Sequence, residues 1–198
     1  MNMMIAKDPE NETVICIVRH GETDWNAQGR LQGREDIELN ESGRKQALKI
    51  AAHLSGEHWD AVVSSPLKRA YETAQIIARK LSVQDIKVEE QITERDYGEA
   101  SGLWPEERRS RFPDGSPGQE DFELLRQRAM SGLERIVNDN LGKRIVVISH
   151  GALTNSILYT LSGGEFGSFK TRLKNGCINQ ITLHNGKWTV DFYNKTVE

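Results

Sequence analysis

Two histidines, each followed by glycine, end apolar runs of this sequence that are typical of buried strands. The run IVRHG contains His20 and ends at Gly21, and the run ISHG contains His150 and ends at Gly151. The carboxyl ends of parallel strands meet at one edge of a sheet, where ligand sites are commonly built, so both histidines are expected to emerge there together. Glycine after each histidine lets the chain turn sharply and pass close to a ligand.

A third predicted strand end brings cationic groups to the same edge. Ser65 can cap the helix that follows, and Pro66 suits its first position, which would leave free backbone N–H groups facing the edge. Arg69 follows in the first turn, and Arg19 stands beside His20. Helix N-termini attract anions, and a guanidinium binds phosphate oxygens in pairs. Two arginines and two histidines at one edge therefore predict a pocket for a tetrahedral dianion.

Other chemistries find less support in the sequence. Zinc sites need three or four ligands, often closely spaced, and neither His-x-x-x-His nor Cys-x-x-Cys occurs. The Walker phosphate loop, the Gly-x-Gly-x-x-Gly fingerprint and the Gly-x-Ser-x-Gly elbow are also absent. A single histidine at a strand end is more often structural than catalytic. The agreement of three strand ends is what favours a functional site.

The composition excludes several classes of protein. The chain has 198 residues, 28% of them charged, a net charge of −3 and no long apolar run, which argues against a disordered or membrane-spanning protein. The slightly acidic balance gives no general attraction to nucleic acid. Cys16 and Cys177 lie in apolar runs and are expected to be reduced core thiols. Acidic residues and Pro9 stand where a signal peptide would be apolar, so a cytoplasmic location is expected.

The elements that must position these residues alternate along the chain. Strands are predicted at Thr13–Val18, Ala61–Val63, Ile145–Ile148 and Cys177–Leu183, and helices at Ser42–Leu54, Pro66–Leu81, Phe122–Val137 and Leu153–Leu161. This order predicts an α/β protein with a mainly parallel central sheet and helices on both faces. The Asn185-Gly186 turn predicts an antiparallel C-terminal edge hairpin. We expect a single domain over residues 1–198, with 98–118 as a surface excursion over the active site.

The sequence around Arg19-His20-Gly21 resembles the signature of the histidine phosphatase superfamily, also called the phosphoglycerate mutase-like family. The similarity continues through LQG at 31–33, SSPLKRA at 64–70, ERDYG at 94–98 and SHG at 149–151, in the family's order. It implies that His20 is a nucleophile that forms a phosphohistidine, and that Glu94 is the acid/base carboxylate. Nothing else in the sequence singles out Glu94. The resemblance further implies a phosphoryl pocket formed by Arg19, Asn26, Arg69 and His150.

The same resemblance suggests contacts to phosphate or substrate from Gly21, Asn26, Gln32, Gly33 and Gly151. Neither a metal nor a cofactor is expected, because guanidinium groups and His150 would carry the charge that a metal carries elsewhere. His20 must be neutral at its attacking nitrogen and held at the other, through a backbone carbonyl near Gly21. Glu94 would begin protonated, give its proton to the leaving alkoxide, and then take one from water.

The family contains both hydrolases and isomerases, and the resemblance leaves both activities open. The segment between Glu94 and His150 is short and the chain ends soon after the hairpin, whereas mutases usually carry a longer insert and tail that exclude water. The pattern is closer to small bacterial broad-specificity phosphatases. We therefore expect metal-independent hydrolysis of small phosphorylated metabolites, by a monomer or homodimer. The alternatives are a cofactor-dependent phosphoglycerate mutase and a non-catalytic phosphate-binding module.

Specificity is expected from the segment 98–118. Five of its side chains could contact the leaving group: Trp104, Arg108, Arg109, Arg111 and Phe112. The competing interpretation is that the arginines form the solvated face of a short helix. Trp25 is expected to pack beside the pocket rather than to bind substrate.

Overall fold

A six-stranded sheet forms the centre of the computed structural model, which describes residues 12–197. The strands are β1 (Glu12–Arg19), β2 (Ala61–Ser64), β3 (Ile86–Val88), β4 (Arg144–Ser149), β5 (Ile178–His184) and β6 (Lys187–Lys195). Their order in space is β3-β2-β4-β1-β5-β6. The first four of these run parallel, whereas β5 is antiparallel to both β1 and β6. The predicted fold class, a mainly parallel sheet with an antiparallel C-terminal hairpin at its edge, is confirmed.

Helices cover both faces of this sheet. They are α1 (Asp24–Ala27), α2 (Glu41–Leu54), α3 (Lys68–Leu81), α4 (Pro105–Arg111), α5 (Phe122–Asn138) and α6 (Gly151–Leu161). One apolar cluster joins the sheet to α2 and α3, and the other joins it to α5 and α6. Among the described residues, no helix combines the length and apolar character needed to cross a bilayer.

The central strand β1 shows why its sequence is continuously apolar. Ile15 and Ile17 belong to the cluster beneath α5 and α6, whereas Cys16 and Val18 belong to the cluster beneath α2 and α3. Successive side chains of a strand point to opposite faces, so a strand covered on both sides has no polar face. Both cysteines are buried and unpaired, as predicted, and burial raises the pKa of the Cys16 thiol to about 12.

The start of α3 differs from the prediction. The helix begins at Lys68 rather than at Pro66, and Ser65 does not cap it. The first N–H of the helix instead donates to the carboxylate of Asp36, 2.7 Å away and on a distant loop. The Ser65 hydroxyl lies 2.7 Å from Nε2 of His150 and serves the site described below. The Ser65 prediction was wrong because a long-range partner replaced the local one.

Strand β3 was not predicted, because it has only three residues and its side chains are half-buried or exposed. The predicted absence of a signal peptide concerns residues that lie mostly outside the described range, which begins at residue 12.

Candidate active site

The two histidines that follow β1 and β4 lie side by side. These strands are parallel neighbours, and their register pairs Arg19 with Ser149, so the next residue of each strand reaches the same point of the sheet edge. The ring centroids of His20 and His150 are 5.2 Å apart. The sheet topology thus brings together two residues that are far apart in the sequence.

His20 is held as a neutral ring with one nitrogen available for attack. Its Nδ1 lies 2.7 Å from the carbonyl oxygen of Gly21, which requires the hydrogen to be on Nδ1. Its Nε2 accepts a hydrogen bond from Nε of Arg69 at 3.2 Å and therefore carries the lone pair. Burial, reinforced by the positive charges of Arg69 and Arg19, lowers the pKa of His20 well below its usual value. The expected backbone anchor near Gly21 is confirmed.

Two guanidinium groups flank this imidazole. Arg69 is 1% exposed, and its terminal nitrogens donate to the carbonyl oxygens of Glu35 and Gly33, each at 2.7 Å. Burial lowers the pKa of Arg69 to about 10, which still leaves it charged at neutral pH. Arg19 donates from Nη1 to the carbonyl of Leu173. Backbone carbonyls thus fix both cations in place before any ligand binds.

The second histidine presents an unpaired nitrogen. Nε2 of His150 is bonded to the Ser65 hydroxyl, whereas its Nδ1 is buried without a hydrogen-bond partner among residues 12–197. Nε of Arg19 is buried and unpaired in the same way. Unpaired polar atoms are rare in protein interiors and call for a missing partner. Both atoms are therefore donors without a partner among the described residues, because Arg19 Nε carries a hydrogen and the Ser65 bond allows His150 to carry its hydrogen on Nδ1.

Glu94 joins the site through the N-terminus of α6. Its Oε1 accepts from the backbone N–H groups of Arg95 (2.8 Å) and Leu153 (3.1 Å), and its Oε2 accepts from that of Ala152 (3.1 Å). Free N–H groups at a helix start favour negative charge. The carboxylate that only the resemblance had identified is thus fixed beside the helix that begins after His150.

The ion pair between Arg128 and Glu120, which we call the Arg128 clamp, holds the backbone of Glu94. All five N–H groups of Arg128 are used. They bind both carboxylate oxygens of Glu120 and the carbonyl oxygens of residues 91, 93 and 94 at 2.7–3.3 Å. The Arg128 and Glu120 side chains are only 16% and 11% exposed. The clamp therefore fixes the segment from which Glu94 projects.

Asn26 and Gln32 are oriented by hydrogen bonds to their oxygens. The Asn26 side-chain oxygen accepts from Nδ2 of Asn175 (2.9 Å), and that of Gln32 accepts from the Thr23 hydroxyl (2.9 Å). Within residues 12–197 their amide nitrogens have no hydrogen-bond partner. Both side chains line the active-site cleft, where these nitrogens are available as donors.

The three predicted glycines have different structural roles. A Cβ on Gly21 would lie 2.4 Å from the carbonyl oxygen of Gly43, so Gly21 allows α2 to approach β1, a reason that the sequence did not suggest. Gly33 has a positive φ of +56° and supplies a carbonyl to Arg69. A Cβ on Gly151 would only touch the Arg19 side chain, at 3.4 Å.

These residues surround a cleft of about 890 Å³. Its lining includes eight of the ten residues expected from the sequence: Arg19, His20, Asn26, Gln32, Gly33, Arg69, Glu94 and Gly151. The other two, Gly21 and His150, are buried and do not line the cleft. The lining also includes ten polar or charged residues that were not among the expected site residues: Glu22, Arg30, Gln46, Tyr97, Asn155, Thr171, Arg172, Lys174, Asn175 and Thr196. Most of them come from loops, where no periodicity marks a residue as facing a site.

The segment 98–118 does not contribute the expected contacts. None of the five side chains proposed for the leaving group lines the cleft. Trp104 is connected to the cleft only through Arg30, whose guanidinium lines the cleft. This guanidinium lies 5.0 Å from the centroid of the Trp104 ring and 4.0 Å from that of the Trp25 ring. Trp25 packs beside the cleft through this stacking.

The described part of the chain contains no group of three or more His, Cys, Asp and Glu side chains that could hold a metal ion. Metal independence stays a prediction.

Comparisons with known proteins agree with this arrangement. The family model for the histidine phosphatase superfamily (branch 1) matches residues 15–196. An uncharacterized phosphatase PhoE of Bacillus subtilis is 40% identical, over 92% of this chain and 94% of its own length. A metal-independent phosphoserine phosphatase of Arabidopsis thaliana is 35% identical, over 90% and 80%. The crystal structure of Entamoeba histolytica phosphoserine phosphatase in complex with 3-phosphoglyceric acid superposes with a TM-score of 0.81, at 30% identity, over 93% and 98%.

The chain belongs to the histidine phosphatase superfamily. Its relatives include the phosphatases just described and also a phosphoglycerate mutase-like protein of Arabidopsis thaliana at 36% identity. With phosphatases at 40% and 35% identity over nearly the whole chain, the protein is a phosphomonoester hydrolase of a superfamily that acts through a phosphohistidine.

Proposed function

We propose that this enzyme hydrolyses phosphate esters of small metabolites, with Nε2 of His20 as the nucleophile. The observation that carries the proposal is the state of His20. Its Nδ1 is held by the Gly21 carbonyl, and its unprotonated Nε2 accepts a hydrogen bond from the fixed guanidinium group of Arg69. Only a neutral imidazole has a nitrogen lone pair that can attack phosphorus, and here Nε2 exchanges its hydrogen bond from Arg69 for the bond to phosphorus.

The contacts suggest a role for each group in the first step. Nε2 of His20 bonds to phosphorus while the bond from phosphorus to the alcohol oxygen breaks. Glu94 gives a proton to that oxygen from its carboxyl group, whose Oε2 accepts from only one amide. Negative charge on the equatorial oxygens is matched by Arg19, Arg69 and the Nδ1–H of His150. Fixed donors of this kind stabilise developing charge without reorganising.

The second step returns the enzyme to its starting state. Water attacks the phosphohistidine, Glu94 takes the water's proton, the N–P bond breaks, and inorganic phosphate leaves. A mutase would instead have to return the phosphoryl group to a second hydroxyl of the substrate. The phosphatase names of the compared relatives support hydrolysis as the first choice, and the complete set of reactive groups argues against a module that only binds phosphate.

Turnover of p-nitrophenyl phosphate with excess EDTA tests hydrolysis directly. His20→Ala is expected to abolish both turnover and acid-labile labelling by a phosphorylated substrate, whereas His53→Ala, on the exposed side of α2, serves as the matched control. Labelling that survives in His20→Ala would refute the nucleophile. Assays of 3-phosphoglycerate with and without 2,3-bisphosphoglycerate separate the two reactions, since isomerisation faster than phosphate release would identify a mutase.

Five further expectations accompany this proposal. The match of one family model to residues 15–196 supports a single domain. A small phosphorylated substrate is supported by the related structure that binds 3-phosphoglyceric acid. The cytoplasmic location, the monomeric or dimeric state and the lack of nucleic-acid binding stay predictions.

A further inference from the structure

We propose that Arg30 forms a carboxylate-binding subsite in the cleft, so that the preferred substrates are phosphomonoesters whose alcohol carries a carboxylate. The inference rests on the proposed function, because the subsite acts on the leaving group of that reaction. It is argued from the way Arg30 is held, from the donors it leaves free, and from the balance of charge in the cleft.

Arg30 is fixed in position before a ligand binds. Its guanidinium lies 4.0 Å from the centroid of the Trp25 ring and 5.0 Å from that of Trp104. Its Nε donates to the carbonyl oxygen of Gly102 at 2.7 Å. Stacking on indole rings suits a planar, weakly hydrated guanidinium. An arginine already ordered in this way loses little conformational entropy when it binds an anion.

The end of the same guanidinium is unoccupied by protein acceptors. Within residues 12–197, Nη1 and Nη2 of Arg30 make no hydrogen bond, and no carboxylate lies within ion-pair distance of them. Gly102 contributes to this opening, since a Cβ there would lie 3.2 Å from Nη2. Two parallel N–H groups at the end of a guanidinium match the two oxygens of a carboxylate.

The charges that line the cleft require a substrate with more than one anionic group. Five cationic side chains line it: Arg19, Arg30, Arg69, Arg172 and Lys174. Only two carboxylates do so, Glu94, which has a role in the reaction, and Glu22, which accepts a hydrogen bond from Asn40. Arg19 and Arg69 are assigned to the phosphoryl group. Three cations therefore remain for the alcohol part of the substrate, and Arg30 is the one fixed by stacking.

A purely structural role of Arg30 would not need the Nη1 and Nη2 groups that are unpaired within residues 12–197. Attachment of the loop to Gly102 needs only the Nε donor, and it is reinforced by backbone hydrogen bonds between Leu31 and residues 102 and 103. The Nη1 and Nη2 edge contributes nothing to that attachment.

The test compares two substrates that share a carbon skeleton. 3-Phosphoglycerate carries a carboxylate where glycerol 3-phosphate carries a hydroxymethyl group, so the ratio of their kcat/KM values isolates the carboxylate. We expect the wild-type enzyme to prefer 3-phosphoglycerate, and Arg30→Gln to reduce that ratio about tenfold or more, as expected for one charge-assisted hydrogen bond. Arg30→Lys should keep part of the preference. Arg79→Gln, the same change at an exposed position of α3 outside the cleft, should keep all of it.

The ratio is measured within each variant, so partial loss of folded protein does not alter it. An unchanged ratio in Arg30→Gln, or an equal loss of kcat/KM for both substrates, would overturn the subsite. So would a wild-type preference for a second phosphate, fructose 1,6-bisphosphate over fructose 6-phosphate, without a preference for 3-phosphoglycerate. If the wild type hydrolysed none of these esters and no p-nitrophenyl phosphate either, the proposed function itself would be overturned.

Discussion

Replacing Arg128 by lysine tests whether the backbone behind Glu94 must be held rigid. The Arg128 clamp uses five N–H groups that point in different directions from one planar group. A lysine ammonium keeps the charge but has three hydrogens on one nitrogen, so it cannot reach Glu120 and all three carbonyl oxygens. We expect it to keep the ion pair and to lose at least two bonds to the backbone.

The structure allows the cost of Arg128→Lys to be estimated. Both partners of the clamp are less than one-fifth exposed, so solvent does not replace the lost bonds. At about 1.5 kcal/mol for each hydrogen bond to a charged group, two lost bonds lower the free energy of unfolding by about 3 kcal/mol. Urea unfolding measures this value. Arg126→Lys is the matched control, because Arg126 lies on the same helix and pairs with Glu123 at the surface.

The kinetic effect of Arg128→Lys separates positioning from general destabilisation. In the proposed mechanism Glu94 protonates the leaving oxygen, and an alkoxide needs that proton far more than p-nitrophenolate does. Acid–base catalysis typically contributes about 10²–10⁴-fold, so a displaced carboxylate is expected to lower kcat for glycerol 3-phosphate at least about tenfold more than for p-nitrophenyl phosphate. The pH profile for the alkyl ester should change as well. Equal losses of kcat on both esters, or none, would refute the positioning of Glu94 by the clamp.

Three further predictions concern the histidines, the helix contact and metals. In the folded protein the pKa values of His20 and His150 are lowered, so both rings stay neutral, whereas in the unfolded chain they bind protons near pH 6.5. The free energy of unfolding is therefore highest above pH 6.5 and falls as the pH drops below it. Two such groups predict a loss of about 3 kcal/mol between pH 7.5 and 5.5, and a constant free energy of unfolding in urea titrations would contradict it. Gly21→Ala should cost about 1–3 kcal/mol or more by thermal unfolding because its Cβ meets the Gly43 backbone, whereas Gly56→Ala, with its nearest neighbour at 3.6 Å, should cost far less. Excess EDTA should leave p-nitrophenyl phosphate turnover unchanged; loss of activity that Mg²⁺ or Zn²⁺ restores would contradict metal independence.

Local sequence patterns were sufficient for the elements that bury apolar residues on both faces. β1, β4 and α5 were predicted to within one or two residues, because continuous apolar runs and helical spacing record burial directly. The short strand β3 has only three residues, none of them fully buried, so its sequence contains no apolar run that would predict it. The cap of α3 was misassigned because Asp36, 32 positions earlier, does what Ser65 was expected to do.

Residue patterns alone predicted the part of the candidate site that follows strand ends, including Arg69 on the helix after β2, and the family resemblance predicted Asn26, Gln32, Gly33 and Glu94. His20 and His150 follow apolar strands, and the sheet topology alone brings them together. By contrast, the bond between Ser65 and His150 spans 85 positions, and that between Asn26 and Asn175 spans 149. No local pattern reports contacts of this kind. The stacked position of Arg30 was missed for the same reason, since its partner Trp104 lies on a different loop.

The central place of β1 also affects how the enzyme is made in the cell. This strand is made before the other five described strands, yet its neighbours are β4 and β5, which follow it by more than 120 residues. At typical rates of about 5–20 residues per second, the apolar run from Val14 to Val18 waits roughly 8–30 s for Ile178–His184 to appear. Until β4 has been made, this aggregation-prone strand has neither of its neighbours, and the nascent chain has no assembled phosphoryl pocket. A truncated product that stops before β4 would therefore expose β1 and have no activity.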